Sequence, residues 1–175
     1  MKYFYYSGCS LEGTALEYNI STQAVMQALG IELIELEDWT CCGASAAETL
    51  SELLSMVLPA RNLALAARMD KDYDFLIPCS ACYLNLRKVD EHLGSDEGLL
   101  EKINEVLNEE ELSYQGGIKS RHLLDVIATD IGPEMIKAKV KRELSGLRIA
   151  PYYGCQALRP YGGYDDPEQP SCMEP

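Results

Sequence analysis

Three times in this chain, a short strand-like stretch ends at one or more cysteines, and a helical pattern follows. The stretches are residues 2–6, 31–36 and 74–78, and the cysteines that follow them are Cys9, Cys41, Cys42 and Cys79. Strands that alternate with helices predict a parallel sheet covered by helices. In such sheets, functional loops gather at the carboxyl ends of the strands. We therefore predict an α/β class: a Rossmann-like parallel sheet flanked by helices, with the cysteine loops at the carboxyl ends of the strands.

The rest of the chain is predicted to be mostly helical. Helices are expected at about 12–29, 45–68, 79–92, 94–112 and 123–131, followed by a basic helix near 137–142 and a strand at 147–152. Apolar spacing places Tyr18 and Val25 of the first helix toward the core. In the second helix, a stripe that includes Leu50 and Leu54 is expected to be buried. Pro59 is expected to kink or break that helix.

The composition excludes several classes of protein. A length of 175 residues is enough for one domain with its own core. The net charge of −13 opposes binding to nucleic acids or anionic membranes, because both need Lys and Arg patches. No stretch approaches the roughly 20 apolar residues of a membrane span, and the apolar part of the N-terminus is too short for a secretion signal. We expect a cytoplasmic protein with no membrane span and no nucleic-acid partner.

Five of the seven cysteines form the pattern C-x31-C-C-x36-C-x2-C. They are Cys9, Cys41, Cys42, Cys79 and Cys82. Adjacent cysteines cannot form a disulfide with each other without strain. Cysteines in a reducing compartment are more commonly ligands or catalytic groups than disulfide partners. The pattern therefore predicts one shared site for a soft metal or a metal cluster.

Three kinds of occupant compete for this site. An iron–sulfur cluster uses thiolates throughout and accounts for all five cysteines. Zinc takes four ligands, often as two Cys-x-x-Cys pairs, and this pattern contains one such pair. A thioredoxin-like redox pair explains Cys79 and Cys82 but leaves the other cysteines of the pattern without a role. The residues favour a cluster larger or less symmetric than an ordinary cube, and zinc and thiol chemistry stay open.

A short repeat suggests how the chain is divided. Tyr5-Tyr6-Ser7-Gly8-Cys9 returns as Tyr152-Tyr153-Gly154-Cys155, and both copies end a predicted strand. We therefore predict one complete cysteine-rich unit over residues 1–146 and the truncated start of a second unit over residues 147–175. Cys172 falls where the first copy has Met26 and is predicted not to be a ligand.

The remaining candidate residues have ordinary structural explanations. His92 and His122 are expected on helices away from the cysteine loops, as surface or satisfied core residues. Trp39 precedes Cys41 by two residues and is expected to pack over the site. None of the three is predicted to bind metal.

The cysteine pattern resembles that of the CCG cysteine-rich domain. Further features narrow the resemblance: Tyr-x-Gly-Cys ending at Cys155, Arg159-Pro160, and Asp165-Asp166-Pro167-Glu168. With these features, the chain resembles the B subunit of CoB–CoM heterodisulfide reductase. It resembles the amino-terminal part of that subunit, with a truncated second CCG domain. Related CCG domains occur in subunits of enzymes that oxidise succinate, glycolate or lactate.

The resemblance implies an oxidoreductase that acts on a sulfur group and carries noncubane 4Fe–4S clusters. The ligands of the first cluster would be Cys9, Cys41, Cys42, Cys79 and Cys82, and Cys155 would be the first ligand of a second cluster. In this family, the enzyme catalyses a step of methanogenesis. The disulfide CoM–S–S–CoB lies between the two clusters and is reduced there to two thiols. Electrons come from the flavin-containing A subunit of the heterodisulfide reductase through its C subunit, which carries cubane 4Fe–4S clusters. A chain with one complete unit is expected not to complete this reaction alone.

Two other functions stay open. The chain could be an electron-transfer subunit of another CCG-type oxidoreductase complex, of the succinate, glycolate or lactate type. It could also be a zinc-bound structural module. Metal analysis separates the structural module from the other functions, since it would hold zinc instead of iron and acid-labile sulfide.

Overall fold

The centre of the fold is a parallel β-sheet. The computed structural model describes residues 1–69, 72–93, 96–150, 152 and 154–171. Within these residues the sheet has four strands: β1 (Lys2–Tyr5), β2 (Glu32–Glu35), β3 (Phe75–Ile77) and β4 (Ser120–His122). All neighbouring strands are parallel, in the order β2-β1-β3-β4. The predicted α/β class with a parallel sheet is confirmed.

Helices connect the strands and cover both faces of the sheet. In the described part of the chain they are α1 (Gly8–Glu12), α2 (Leu16–Ala28), α3 (Ala46–Leu50), α4 (Glu52–Met69), α5 (Ser80–Leu93), α6 (Glu97–Leu107), α7 (Leu123–Val126), α8 (Gly132–Lys139) and α9 (Cys155–Leu158). A 3-10 turn, Asn108–Glu110, follows α6, and a π-helical segment, Ile127–Ile131, joins α7 to α8. The helices predicted at 79–92 and 94–112 correspond to α5 and α6.

The strand order reverses at β1, and this reversal positions the cysteine loops. β2 pairs with β1 on one side, and β3 pairs with β1 on the other side. Ligands of open parallel sheets bind outside the carboxyl ends of the strands, at the point where the order reverses. Cys9, in α1, follows β1, and Cys79 follows β3 in the loop that leads to α5. The topology therefore places both cysteines beside this crevice.

Alternate residues of the strands pack into two separate cores. Phe4 and Phe75 lie in the larger core, together with side chains of α4, α5 and α6. Tyr3 and Leu76 point to the other face and lie in a smaller core with Met26 of α2. Burial on both faces explains why these strands are apolar without a strict alternation of apolar and polar residues.

Helix α2 turns a different face to the sheet from the one predicted. Tyr18 and Val25 are exposed, whereas Asn19 and Met26 are buried. The Tyr5 hydroxyl donates a hydrogen bond to Asn19 Oδ1 at 2.7 Å. A buried hydroxyl needs a polar partner, so an asparagine occupies a position that apolar spacing alone would not predict. The predicted face was therefore wrong at Tyr18 and Val25, whereas Leu29, which was predicted on the same face, packs against the smaller core.

The helix predicted at 45–68 is interrupted. Ser51 has an extended backbone, with φ −162° and ψ 130°, between α3 and α4. Because the chain leaves the helical conformation at Ser51, Leu50 and Leu54 lie on two separate helices. Both are exposed instead of forming one buried stripe. Pro59 is buried inside α4, and the helix continues through it. The predicted stripe was wrong at Leu50 and Leu54, whereas Leu53 and Val57, which were predicted beside it, pack in the larger core. The predicted break at Pro59 was also wrong, because packing against the core outweighs the hydrogen bond that a proline removes.

Strand β4 was not predicted, because it has no apolar pattern. All of its residues are buried. The guanidinium of Arg121 lies 3.2 Å from a carboxylate oxygen of Asp74 and 2.9 Å from one of Asp130, and it also pairs with Asp125. A buried cation is tolerated where carboxylates pair with it. These partners come from other segments of the chain, so the sequence of β4 alone does not indicate burial.

The strand predicted at 147–152 is not formed in the part of that range that the structure describes. Leu147 and Ile149 are largely exposed there. An apolar stretch becomes a strand only where a neighbouring strand supplies hydrogen-bonding partners. The strand prediction was therefore wrong for these residues, and the division of the chain at residue 146 stays a prediction.

The last described segment packs against α5. Ala157 and Leu158 of α9 are buried. The Gly163 amide donates a hydrogen bond to the Tyr83 hydroxyl at 3.0 Å. Cys172, predicted not to be a ligand, lies outside the described residues.

Asp90 of α5 makes the stability of this fold depend on pH. The Tyr114 hydroxyl donates a hydrogen bond to Asp90 Oδ1 at 2.7 Å, and burial raises the pKa of Asp90 to about 6. Because the folded pKa lies above the unfolded value, its contribution is present below about pH 4 and is lost as the pH rises through 6. We expect Asp90→Asn, whose amide oxygen also accepts from Tyr114, to raise the free energy of unfolding at pH 8 by about 1–3 kcal/mol relative to the parent chain.

Urea unfolding at pH 4 and pH 8 checks this prediction. At pH 4 the parent carboxyl is protonated, so the two chains should have similar free energies of unfolding. A gain of the same size at both pH values would mean that the substitution acts through packing instead of ionisation.

Candidate functional site

The structure brings the thiols of the predicted ligands together at the carboxyl edge of the sheet. Cys9 Sγ lies 3.6 Å from Cys41 Sγ. Cys42 Sγ lies 3.3 Å from Cys82 Sγ, and Cys79 directly precedes α5, the helix that carries Cys82. Three loops that are far apart in the sequence therefore contribute sulfur atoms to one place.

This group of thiols has a buried side and an open side. Cys42 and Cys82 are only 1% and 2% exposed. Cys9 and Cys41 are exposed, and Cys79 is half-buried. A metal group held here would be shielded by the core at one end and accessible to solvent, substrate or partner at the other.

The number and arrangement of the thiols limit the metal ions or clusters that they can bind. In the described residues, no three His, Cys, Asp or Glu side chains are arranged to hold a single metal ion. The thiols form two close pairs with Cys79 beside one of them. The all-sulfur donor set fits groups that are bound by thiolates, which include iron–sulfur clusters and zinc, and the five thiols exceed the four ligands that zinc takes.

Two buried asparagines hold the Cys41-Cys42 loop in place. Asn62 of α4 accepts from the Thr40 amide at 2.9 Å and donates to the Thr40 carbonyl at 2.9 Å. Asn85 of α5 donates to the Cys42 carbonyl at 3.0 Å. These residues were not predicted from the sequence. An asparagine within an apolar stretch of a predicted helix is the signal that could have found them, because a buried amide needs partners.

Two glycines let the backbone lie close to the thiols. Gly8 has a φ of +70°, and a Cβ added there would lie 2.9 Å from Cys82 Sγ. Gly43 has a φ of +75°, and an added Cβ would lie 2.8 Å from side-chain atoms of Ala47 and Leu58. A positive φ and a tight approach both favour glycine. The positions of Gly8 and Gly43 beside the cysteines predict that the backbone approaches a bulky group there, and the approach to a bound cluster stays a prediction.

Tyr6 lies beneath the thiols and was not predicted as part of the site. Its hydroxyl donates to the Thr40 carbonyl at 2.7 Å. Burial raises the pKa of Tyr6 far above its ordinary range, and nearby charge on Cys82 and Cys42 raises it further. Trp39, which was expected over the site, packs edge-to-face on the Tyr6 ring at 5.5 Å between ring centres. The phenol therefore stays protonated and supports the loop.

The thiols differ in how readily they ionise. The hydrogen bond with Cys82 and the backbone amides of Cys82 and Ala81 lower the pKa of Cys79 to about 6. The hydrogen bond with Cys82 also lowers the pKa of Cys42, and the pKa of Cys82 itself is raised. Burial raises the pKa of Cys41. The hydrogen bonds among these thiols therefore move their pKa values in opposite directions.

His122 lies closer to the site than predicted. It is not on a helix but at the end of β4, where it is buried. Its Nε2 lies 3.2 Å from the hydroxyl of Ser80, the first residue of α5, which directly follows Cys79. Its Nδ1 accepts a hydrogen bond from the Leu124 amide at 3.2 Å. The prediction of a satisfied core residue is confirmed, and the prediction of a helical position away from the cysteine loops was wrong.

His92 and Cys155 lie at the ends of helices. His92 is near the end of α5, with Nδ1 2.8 Å from the Lys88 carbonyl oxygen. Cys155 is exposed at the start of α9, and its role as a ligand of a second cluster stays a prediction.

A match to a known family covers the whole group of thiols. Residues 3–87 match the family model described as a cysteine-rich domain, CCG. These residues are a CCG cysteine-rich domain. The match includes all five thiols, and it ends within α5. The resemblance that the cysteine spacing suggested is therefore confirmed.

Curated relatives extend the similarity along most of the chain. The chain is 39% identical over 175 residues to the 8-methylmenaquinol:fumarate reductase membrane anchor subunit of Wolinella succinogenes, with 99% of this chain and 60% of that protein covered. It is 30% identical over 170 residues to a protein of Archaeoglobus profundus that is named as similar to the heterodisulfide reductase B subunit, with 97% and 56% covered. It is 26% identical over 156 residues to the B subunit of a ferredoxin/F(420)H(2)-dependent CoB-CoM heterodisulfide reductase of Methanosarcina acetivorans, with 89% and 51% covered.

These relatives are subunits or subunit-like proteins of two kinds of reductase. The chain spans between 51% and 60% of their lengths. One relative is named a membrane anchor. Among the described residues of this chain, no helix has both the length and the apolar character that a membrane span needs.

Proposed function

We propose that this chain is the iron–sulfur subunit of a heterodisulfide-reductase-type oxidoreductase. In this proposal, a noncubane 4Fe–4S cluster is held by Cys9, Cys41, Cys42, Cys79 and Cys82. The observation that carries the proposal is the meeting of these thiols at one sheet edge, with sulfur–sulfur distances of 3.6 and 3.3 Å within the two pairs. The similarity to the B subunits of heterodisulfide reductases supports the same assignment.

The surrounding residues fit a group that accepts and donates electrons. A bound cluster supplies one-electron transfer, which the side chains present here do not provide. Asn62 and Asn85 fix the Cys41-Cys42 loop, so the thiols need little rearrangement to bind metal. The open side at Cys9 and Cys41 is where a substrate or an electron donor can approach.

The proposed reaction is the reduction of a disulfide. The sulfur–sulfur bond of CoM–S–S–CoB or a related disulfide breaks, and two electrons and two protons convert its halves to two thiols. The other subunits of the heterodisulfide reductase supply the electrons, which pass from the flavin-containing A subunit through the C subunit with its cubane 4Fe–4S clusters. In this assignment Cys155 is the first ligand of a second cluster.

A second candidate function is supported by a specific observation. The 39% identity to a subunit of a menaquinol:fumarate reductase favours an electron-transfer subunit of a fumarate- or succinate-linked complex. In that complex the same thiols would hold a cluster that passes electrons without binding a disulfide. Both candidates have the same metal site. They differ in what takes electrons from the cluster, which is a disulfide only in the first candidate.

Anaerobic reconstitution with iron and sulfide tests the shared part of the proposal. We expect several irons per chain with a matching amount of acid-labile sulfide and no zinc. One zinc per chain without sulfide would mean a structural module and would overturn the redox assignment.

Adding a disulfide to the loaded protein separates the two candidates. A disulfide-reducing subunit should change its electron paramagnetic resonance spectrum when CoM–S–S–CoB is added. An unchanged spectrum with the disulfide, together with reduction by a menaquinol in the presence of the partner subunits, would favour the second candidate.

A further inference from the structure

One buried hydroxyl beside the thiols has no hydrogen-bonding partner. Ser7 lies between β1 and α1 and is 2% exposed. Its Oγ makes no hydrogen bond with any described residue, although it stands at the start of a helix where serine commonly caps an amide. Buried polar groups in folded proteins almost always have partners, so an orphaned hydroxyl calls for a reason.

The neighbours of Ser7 place it at the cysteine site. It is followed by Gly8, where an added Cβ would lie 2.9 Å from Cys82 Sγ. It is preceded by Tyr6, whose pKa responds to the charge of four of the thiols. Cys9 is two residues further on. Ser7 therefore belongs to the short segment between β1 and Cys9, one residue from the close approach of Gly8 to Cys82 Sγ.

We infer that the Ser7 hydroxyl donates a hydrogen bond to a sulfur atom of the cluster. This inference rests on the proposed function, since it needs a cluster at the five thiols. A hydrogen bond to a cluster sulfur stabilises the reduced form, which carries more negative charge, and so raises the reduction potential. Ser7 then helps to set the reduction potential of the cluster. The cluster sulfur is the hydrogen-bonding partner that the protein itself does not provide.

Another orphaned serine provides a matched control. Ser120 is 4% exposed, and its Oγ also makes no hydrogen bond with a described residue. It lies at the amino end of β4, opposite to the edge where the thiols meet. Ser7→Ala and Ser120→Ala therefore remove the same chemical group from equally buried positions, near to and far from the proposed cluster.

The experiment compares the two variants with the parent chain, with and without the cluster. In the reconstituted proteins, we expect Ser7→Ala to lower the midpoint potential by an amount that corresponds to roughly a tenfold change in the one-electron equilibrium constant, which is 59 mV. Ser120→Ala should leave the potential unchanged. Without the cluster, both variants should unfold at urea concentrations equal to or above that of the parent, because each loses an unsatisfied hydroxyl.

The outcomes distinguish this inference from the proposed function. If the parent chain binds no iron, the proposed function fails and the inference fails with it. If the parent binds iron and Ser7→Ala has the parent's midpoint potential, the inference alone is overturned. A loss of stability of Ser7→Ala without the cluster would show that the hydroxyl has a protein partner, and this would also overturn the inference.

Discussion

Replacing Cys9 by alanine is expected to remove most of the iron and sulfide from the reconstituted chain. Cys9 Sγ lies 3.6 Å from Cys41 Sγ, on the open side of the site. Loss of even an outer partner of a metal ligand lowers metal affinity by about 10–100-fold, so the loss of a direct ligand should have a larger effect. Because Cys9 is exposed, its replacement should leave folding intact.

Cys155→Ala is the matched control for this prediction. Cys155 is also exposed, also follows a glycine and also lies in a short helix. Cys155 lies outside the group of five thiols, so the iron and acid-labile sulfide held by that group should remain in Cys155→Ala after anaerobic reconstitution. An equal loss of iron in both variants would contradict the assignment of the first ligand set. Full iron in Cys9→Ala would remove Cys9 from that set.

Replacing Gly43 by alanine is expected to lower the free energy of unfolding by about 2–5 kcal/mol. Gly43 has a φ of +75°, which costs an L-residue about 1–2 kcal/mol. An added Cβ would also lie 2.8 Å from Ala47 Cβ and from Leu58 Cδ1, and overpacking of this kind costs about 1–3 kcal/mol. Urea unfolding of the cluster-free protein measures the effect.

Gly30→Ala separates the two causes. Gly30 has the same φ of +75°, but nothing lies within 4 Å of its added Cβ. This variant should lose only about 1–2 kcal/mol, the conformational part of the effect. Equal losses in the two variants would show that Ala47 and Leu58 move aside without cost and that the tight approach at Gly43 is unimportant for stability.

The sequence was most informative about the cysteine site. The cysteines follow predicted strands, and parallel strands bring their carboxyl ends to one edge of the sheet. That argument needs only the approximate ends of strands, which short apolar stretches indicate well. The structure places Cys9 beside Cys41, and Cys42 beside Cys82, as this argument requires. The identity of the bound group does not follow from this argument.

The faces of helices were less predictable than the helices themselves. Asn19 is buried because it accepts a hydrogen bond from Tyr5, and a hydrophobic pattern does not indicate such a pairing. Leu50 and Leu54 have helical spacing, but an extended Ser51 separates their helices. In each case, a partner or a break outside the local pattern decided which side chains were buried.

β4 shows the limit of local patterns most clearly. Arg121 and His122 are polar, and the sequence offers no reason to bury them. Arg121 is buried because it pairs with Asp74, 47 residues away, and with carboxylates of the segment that follows β4. His122 is buried beside Ser80, 42 residues away.

The sequence by itself determined the alternation of strands and helices and the positions of Cys9, Cys41, Cys42 and Cys79 after strands, because both depend on short stretches of neighbouring residues. Only the tertiary structure decided which thiols pair, how Asn62 and Asn85 hold their loop, and that Ser7 is enclosed without a partner. The physical reason is that these features depend on contacts across the sheet edge. The residues that meet there, such as Cys42 and Cys82, are 40 positions apart in the chain.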